Sequence, residues 1–325
     1  MKININKIKK NLSKFSTKAK ISIYNQSIYI EEQEIILKYD CEITDAFNTE
    51  IPCLSTLKKL DGDIEIIKQN HFIQMKDQNI AIMKYANESN QPIVLNDFNV
   101  EFNLKAQPLK LGIERVKFAI SKDKEQSRLC GVILSIKDQK LFLSGTNGHI
   151  LAKFDTGINV DAQDIDIKIP NQLLITDEED ITIKVNNYHN HCQFILGDLM
   201  IQSKNCESLT LNRMEAVESF KLDAKHELKF NRLEMLENLK KILKFVKEDR
   251  YKKIALDIKK NKIDLGYATI ACEATEEAKI GVNCNYLLDI IKSCKDDFTF
   301  NYSIPEKPIF LFSNNINFIL MPLRI

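Results

Sequence analysis

Three groups of residues in this 325-residue chain have types and spacing that chemistry uses. His189, His191 and Cys192 stand close enough together to be imagined as ligands of one metal ion. Thr146-Asn147-Gly148-His149 carries an imidazole, the commonest general base. Glu276-Glu277 offers two adjacent carboxylates. Each has a plainer reading that wins. The stretch NNYHNHCQF reads as a turn between strands, and no second ligand pair matches its spacing, so no metal is expected. Asn-Gly after an alternating run is first a turn signal. The glutamate pair lies in a polar stretch with no basic or nucleophilic partner. None of the nine glycines forms GxGxxG, GxxxxGKS or GxxxxGKT, the loops that cradle phosphates, so no nucleotide cofactor and no catalysis are expected. The cysteines at 41, 53, 130, 192, 206, 272, 284 and 294 never form CxxC and sit mostly in apolar stretches, where a thiol acts as a small hydrophobe.

Lysine is the charged residue with a pattern. Net charge is only +1, but a balanced total can hide a segregated surface. Lys7, Lys10, Lys14 and Lys18 step by 3, 4 and 4, the spacing of one side of a helix. Lys240, Lys244 and Lys247 step by 4 and 3, and Lys122, Lys124 and Arg128 cluster in a short loop. A solvated helix face, with lysines favoured toward its C-terminus by the dipole, accounts for any one of these.

The elements that position these residues repeat three times. Copies of one pattern at 50–85, 168–204 and 280–323 begin with Ile51-Pro52, Ile169-Pro170 and Val282-Asn283. Each continues through a Leu-rich stretch, an acidic turn and an alternating strand. They start about 115 residues apart, beyond the ~20–50 residue period of solenoids, so each is a domain. The half before each copy pairs an amphipathic helix with a hairpin: Ile8, Leu12 and Phe15 after a capping Asn6; Leu109, Ile113, Val116 and Ile120; and Leu236, Leu239, Leu243 and Val246. The unit is helix, strands, helix, strands, an α+β domain present three times. The three basic clusters then fall at the same place in each copy, which favours a common cationic surface. With 28% charged and 44% hydrophobic residues, no apolar run of ~18 residues and no signal-peptide core, a soluble cytoplasmic protein without a membrane partner is expected.

Four segments resemble a known family. LCGVILSIKDQKLFLSGTNGHILAKF (129–154) resembles the second-domain strand and TDGHRLA-like segment of the bacterial β sliding clamp, the β subunit of DNA polymerase III. FILMPLRI resembles its C-terminal VMPMRL-like tail, IGVNCNYLLDIIKSC its FNxxYLLDxL segment, and VEFNLKAQPLKLGIERVKFAIS the start of its second domain. The resemblance covers essentially the whole chain.

It implies three domains, 1–99, 100–217 and 218–325, with helices on one face of antiparallel sheets, in a head-to-tail homodimer ring around double-stranded DNA. Lys7, Lys10, Lys14, Lys18, Lys122, Lys124, Arg128, Lys240, Lys244 and Lys247 would face the DNA, without reading its sequence. Phe102 and Leu104 would meet Phe245 and Val246 of the other subunit. A pocket between the second and third domains would take short linear peptides from the polymerase, the clamp loader and repair proteins. Its wall would be Leu129, Thr146, Gly148, His149 and Leu151 with Ile319, Met321, Pro322, Leu323 and Arg324, and Asn283 and Tyr286 would lie alongside. The chain departs from the family at Ile150, where a basic residue is common, in the linker near Leu209–Arg213, and in its shorter Leu-rich helix at 171–175. Two readings stay open: a replicative clamp, and a divergent clamp-fold scaffold or element-borne paralogue that binds DNA or proteins.

Overall fold

The structure is a computed structural model that describes the chain apart from residues 1, 17, 25–26, 33–34, 41–48, 52–53, 70–71, 80, 86–92, 171–172, 174–179, 187–189, 205–218 and 295–297. One order of elements recurs three times: a strand, a helix, a three-strand meander, a further strand, then three closing strands. A second helix precedes the closing strands in the first and third copies, whereas its counterpart at 171–175 falls largely outside the described residues. The helices are α1 (Ile5–Leu12), α2 (Leu54–Lys59), α3 (Ala106–Val116), α4 (Arg232–Phe245) and α5 (Cys284–Ser293). This is the expected α+β class with antiparallel sheets.

The chain packs as two compact units, the first comprising Met1–Lys110, Val160–Gln163 and Ile167–Cys206, the second Leu111–Asn159, Asp164–Asp166 and Glu207–Ile325. In the first, strands run in the order Thr49–Ile51, Lys20–Tyr24, Ser27–Glu32, Ile35–Asp40, Leu199–Lys204, His191–Leu196, Asp180–Asn186, Val100–Lys105. The first copy's meander therefore joins the second copy's closing strands where Ile35–Asp40 meets Leu199–Lys204, with Ile36 opposite Gln202. A smaller sheet runs Lys2–Asn4, Asp63–Gln69, Phe72–Lys76, Ala81–Tyr85.

In the second unit the order is Val132–Lys137, Lys140–Thr146, Ile150–Asn159, Ile316–Leu320, Ile309–Ser313, Thr299–Tyr302, His226–Phe230, Thr269–Ala274, Lys262–Asp264, Lys253–Ile258, Ala278–Asn283. The same kind of joint appears, with Leu151 opposite Ile319. Gly112 of α3 lets that helix approach the sheet, because a Cβ there would lie 2.2 Å from Leu143 Cδ1. Asn231 caps α4 by accepting from the Glu234 N–H at 3.0 Å. Helices α4 and α5 pack together, and the Arg232 Nε donates to the Ile291 carbonyl at 3.2 Å.

Several expectations shift by a residue or a face. Helix α1 begins at Ile5, so Asn6 sits in its first turn rather than before it, and α1 ends at Leu12, short of Lys14 and Lys18. The buried stripe of α4 is Met235, Leu239 and Ile242, one residue off the Leu236/Leu243 line, because α4 turns that side toward its neighbours. Phe102 and Leu104 are 5% and 4% exposed. Strand Val100–Lys105 alternates buried and exposed, which leaves Glu101 and Lys105 outside in ion pairs with Lys184 and Asp180 at 3.0 and 2.8 Å. Those two apolar side chains belong to the chain's own core, where each contributes about 1.5–3 kcal/mol, and have little surface to offer a second subunit.

Among the described residues no helix is long and apolar enough to cross a membrane. Burial pushes the Cys192 thiol up to about 12 and the Cys284 and Cys294 thiols up to about 11, so these cysteines act as core filler.

Candidate functional site

The TNGH segment forms a closed turn in the second unit. Thr146 Oγ1 donates to the Ile150 carbonyl at 2.7 Å and accepts from the Gly148 N–H at 3.1 Å, while Asn147 Oδ1 accepts from the His149 and Ile150 N–H groups, both at 3.0 Å. Gly148 takes φ +85°, which favours glycine. The turn leaves His149 exposed, and its imidazole stacks on the Tyr286 ring at 5.8 Å and 19°. Tyr286 is held in turn by Asn283, whose side chain caps α5, accepting from the Asn285 and Tyr286 N–H groups at 2.9 and 3.2 Å and donating to the Tyr251 carbonyl at 2.6 Å.

The C-terminal segment is sewn to this assembly by its backbone. The Met321 N–H donates to the His149 carbonyl at 2.9 Å, and the Leu323 N–H to the Gly281 carbonyl at 2.8 Å. Gly281 is required: a Cβ would lie 2.3 Å from the Leu323 carbonyl oxygen. Lys253 Nζ donates to the Arg324 carbonyl at 3.2 Å. Met321, Pro322 and Leu323 are half-buried, Arg324 and Ile325 exposed. Beneath them Leu151 and Ile319 form an apolar floor with Ile133, Phe310 and Ala224, against which Phe312 packs under Lys221 Nζ at 4.4 Å. Leu129 Cδ1 lies near Gly148, at 4.0 Å from where its Cβ would be. A rim of an exposed imidazole, a half-buried Tyr286 ring and half-buried apolar side chains over an apolar floor suits an extended apolar peptide rather than bond-breaking chemistry.

All the residues expected in the pocket wall are thus placed in one unit, Asn283 as the cap that positions Tyr286. Gly281 and Lys253 were missed, although a glycine within an alternating strand signals close backbone approach. Residues 209–213 lie outside the described residues.

The other predicted residues are more scattered. Lys240 and Lys244 are exposed one turn apart on α4, Lys247 is exposed just beyond it, and Lys14, Lys18 and Lys122 are exposed in irregular backbone. The side chains of Lys7, Lys10, Lys124 and Arg128 lie outside those described. Phe245 is 68% exposed and stacks on Tyr267, itself 61% exposed, at 5.3 Å and 7°, whereas Val246 is buried. His189 is outside the described residues, and the Cys192 Sγ lies 3.3 Å from Ser203 Oγ in the core. Among the described residues no group of three or more His, Cys, Asp and Glu side chains could hold a metal ion.

Residues 103–208 match the family model for the central domain of the DNA polymerase III beta subunit. A beta sliding clamp from Chlamydia muridarum is 24% identical over 242 residues, which cover 70% of this chain and 65% of that protein. The chain thus spans just under two thirds of the length of this beta-subunit relative. Among solved structures, the DNA polymerase III beta subunit from Thermotoga maritima aligns over 100% of this chain and 99% of that one, with a TM-score of 0.78 and 15% identity. The sliding clamp from Bartonella birtlesii bound to griselimycin aligns over 100% and 99%, with a TM-score of 0.77 and 19% identity. The beta-subunit fold therefore extends over the whole chain. The family model covers the TNGH turn and stops before α4, α5 and the tail.

Proposed function

We propose that the protein is a DNA sliding clamp: a homodimeric ring of three domains per chain, divided near 99/100 and 217/218, that encircles duplex DNA and tethers a polymerase and other DNA-processing proteins. It carries no catalysis and needs no cofactor; its contribution is effective concentration, and its place is the cytoplasm. The observation that carries this reading is the assembly of the TNGH turn, Tyr286 and the C-terminal segment on a beta-subunit fold. There, peptides from the polymerase, clamp loader and repair proteins would dock. The exposed Lys240, Lys244 and Lys247, with Lys14 and Lys18, would contact phosphates.

Counting joints supports ring closure. Ile35–Asp40 pairs with Leu199–Lys204, and Ile150–Asn159 with Ile316–Leu320. By the same order the strands left over are Thr269–Ala274 and Ala81–Tyr85. Ala81–Tyr85 is the end strand of its sheet, and Thr269–Ala274 meets His226–Phe230 only along Cys272–Ala274. Two copies head to tail can supply each other's third joint, and closure removes both edges. The Phe245–Tyr267 stack is exposed in the same domain as Thr269–Ala274, and a 680 Å³ cleft lined by Phe230, Arg232, Ala271, Cys272 and Phe298 adjoins that strand; the partner's edge would cover both.

Native mass tests the joint. Phe245→Glu should convert a dimer at micromolar concentration to monomers without unfolding, since a buried unpaired charge costs several kcal/mol while the side chain is exposed in the single chain. A parent that is monomeric, or a variant that stays dimeric, would favour the scaffold reading.

A further inference from the structure

The two joints can be compared row by row. In the second unit the fourth cross-strand pair from the Ser313/Ile316 turn is Phe310 and Ile319, and Ile319 faces Leu151 on its other side. In the first unit the fourth pair from the Leu196/Leu199 turn is Gln193 and Gln202, and Gln202 faces Ile36. An apolar floor in one joint is an amide pair in the other.

Gln193 and Gln202 are 5% and 4% exposed, so their amides need partners inside the protein. They find them on the segment that runs toward strand Val100–Lys105. Gln202 Oε1 accepts from the Leu95 N–H at 2.9 Å, and its Nε2 donates to the Ile93 carbonyl at 3.2 Å. Gln193 Nε2 donates to the Leu95 carbonyl at 2.7 Å and to Gln202 Oε1 at 3.0 Å. One strand further on, the Asn186 Nδ2, in a residue 2% exposed, donates to the Asp97 carbonyl. Residues 93, 95 and 97 are thus all gripped by backbone, in steps of two, as one edge of an extended strand would be. In the second unit the preceding segment rests on the floor through the apolar Ala224, with one long hydrogen bond of 3.4 Å from Asn301.

We infer that Gln193, Gln202 and Asn186 form a binding site for an extended peptide backbone, of any side-chain sequence, and that the chain's own segment 93–97 occupies it. The repeats build two equivalent joints, and self-occupation closes this one, leaving one docking site per chain. The amide site stands on its own geometry; only the count of docking sites rests on the proposed function.

Hydrogen exchange on the full chain reads the grip. In the parent the Leu95 amide should be protected although its segment has no regular structure; in Gln193→Met/Gln202→Met it should exchange about tenfold faster or more, the weight of one hydrogen bond, while strands His191–Leu196 and Leu199–Lys204 keep their protection. Because that double variant alters the sheet, Leu95→Pro serves as the second arm: it removes the donated N–H and leaves the sheet untouched. A synthetic peptide of residues 91–99 should bind the Leu95→Pro chain one to one, including a version lacking residues 321–325, and should not bind the parent. Free exchange of Leu95 in the parent, unchanged protection in the folded double variant, or no binding of the peptide to Leu95→Pro would each overturn the inference. Loss of peptide binding only when residues 321–325 are deleted would mean that the peptide uses the tail site, and would also overturn it.

Discussion

The joint in the first unit and the joint in the second share strand order, direction and register, yet one holds buried amides and the other buried hydrocarbon. Gln193 and Gln202 bind a backbone by hydrogen bonds whose loss would leave buried polar groups unsatisfied, at about 1–3 kcal/mol each. Ile319, Leu151 and Phe310 make no such demand, so their cover can be exchanged for another apolar surface. The difference teaches that the fold supplies the joint, and on the proposed reading two residues in one cross-strand row, Gln193 and Gln202 or Phe310 and Ile319, decide whether it is sealed or able to dock.

The strongest way to break the comparison is to remove what only the second joint has. Deletion of Met321–Ile325 should abolish binding of a clamp-binding peptide, a loss of at least ~100-fold as expected for several central anchors, while native mass still reports a dimer. Unchanged affinity in the truncated chain would show that the tail is an ordinary last strand. Next in size, Ile319→Gln makes the second floor resemble the first. It puts an amide into the apolar floor, so peptide affinity measured by calorimetry should fall by about 1–3 kcal/mol. An undiminished affinity would mean that the apolar row does not matter.

Tyr286→Ala removes the ring under His149 and should weaken the peptide by about 0.5–1.5 kcal/mol, the value of a stacked aromatic pair. Asn283 should stay folded in that variant, because its cap to Asn285 remains. A pH-dependent effect belongs to the first joint. Burial holds the Cys192 thiol up to about 12, above its ordinary 9.0, with Ser203 beside it. A thiol that is neutral in the folded chain and ionised in the unfolded one stabilises fully below about pH 9, and that stabilisation is lost as pH rises toward 12. Denaturant titrations of parent and Cys192→Ala should therefore converge between pH 9 and 11; parallel curves would show that the thiol is not held.

Much of this was legible in the sequence. The threefold order of elements showed as recurring Pro or Asn starts, Leu-rich stretches and alternating strands, because period and turn chemistry are local. The TNGH turn and the tail were legible for the same reason: glycine at φ +85° and a run of apolar residues leave marks in a few consecutive letters. The contacts between distant segments were not. Phe102 and Leu104 do lie on an end strand of their sheet, but a place at the edge does not say which face the rest of the chain covers, and theirs is the covered one. The stripe on α4 was misplaced by one residue, since Leu236 and Leu243 are as apolar as Met235 and Ile242, and only packing chooses. The grip of Gln193 and Gln202 on Leu95 spans about a hundred residues and had no local signature.

Retention on circular duplex tests the proposed encirclement of DNA most directly. Protein loaded on a nicked circle by a clamp loader should remain through gel filtration, and should be lost once a single cut makes the circle linear, whatever the base sequence. Lys14→Glu/Lys240→Glu/Lys244→Glu should lower that retention and flatten its salt dependence, by about 0.9 in the slope of log K against log salt for each phosphate no longer neutralised. Retention that is the same on circular and linear DNA, or no retention on either, would contradict the account.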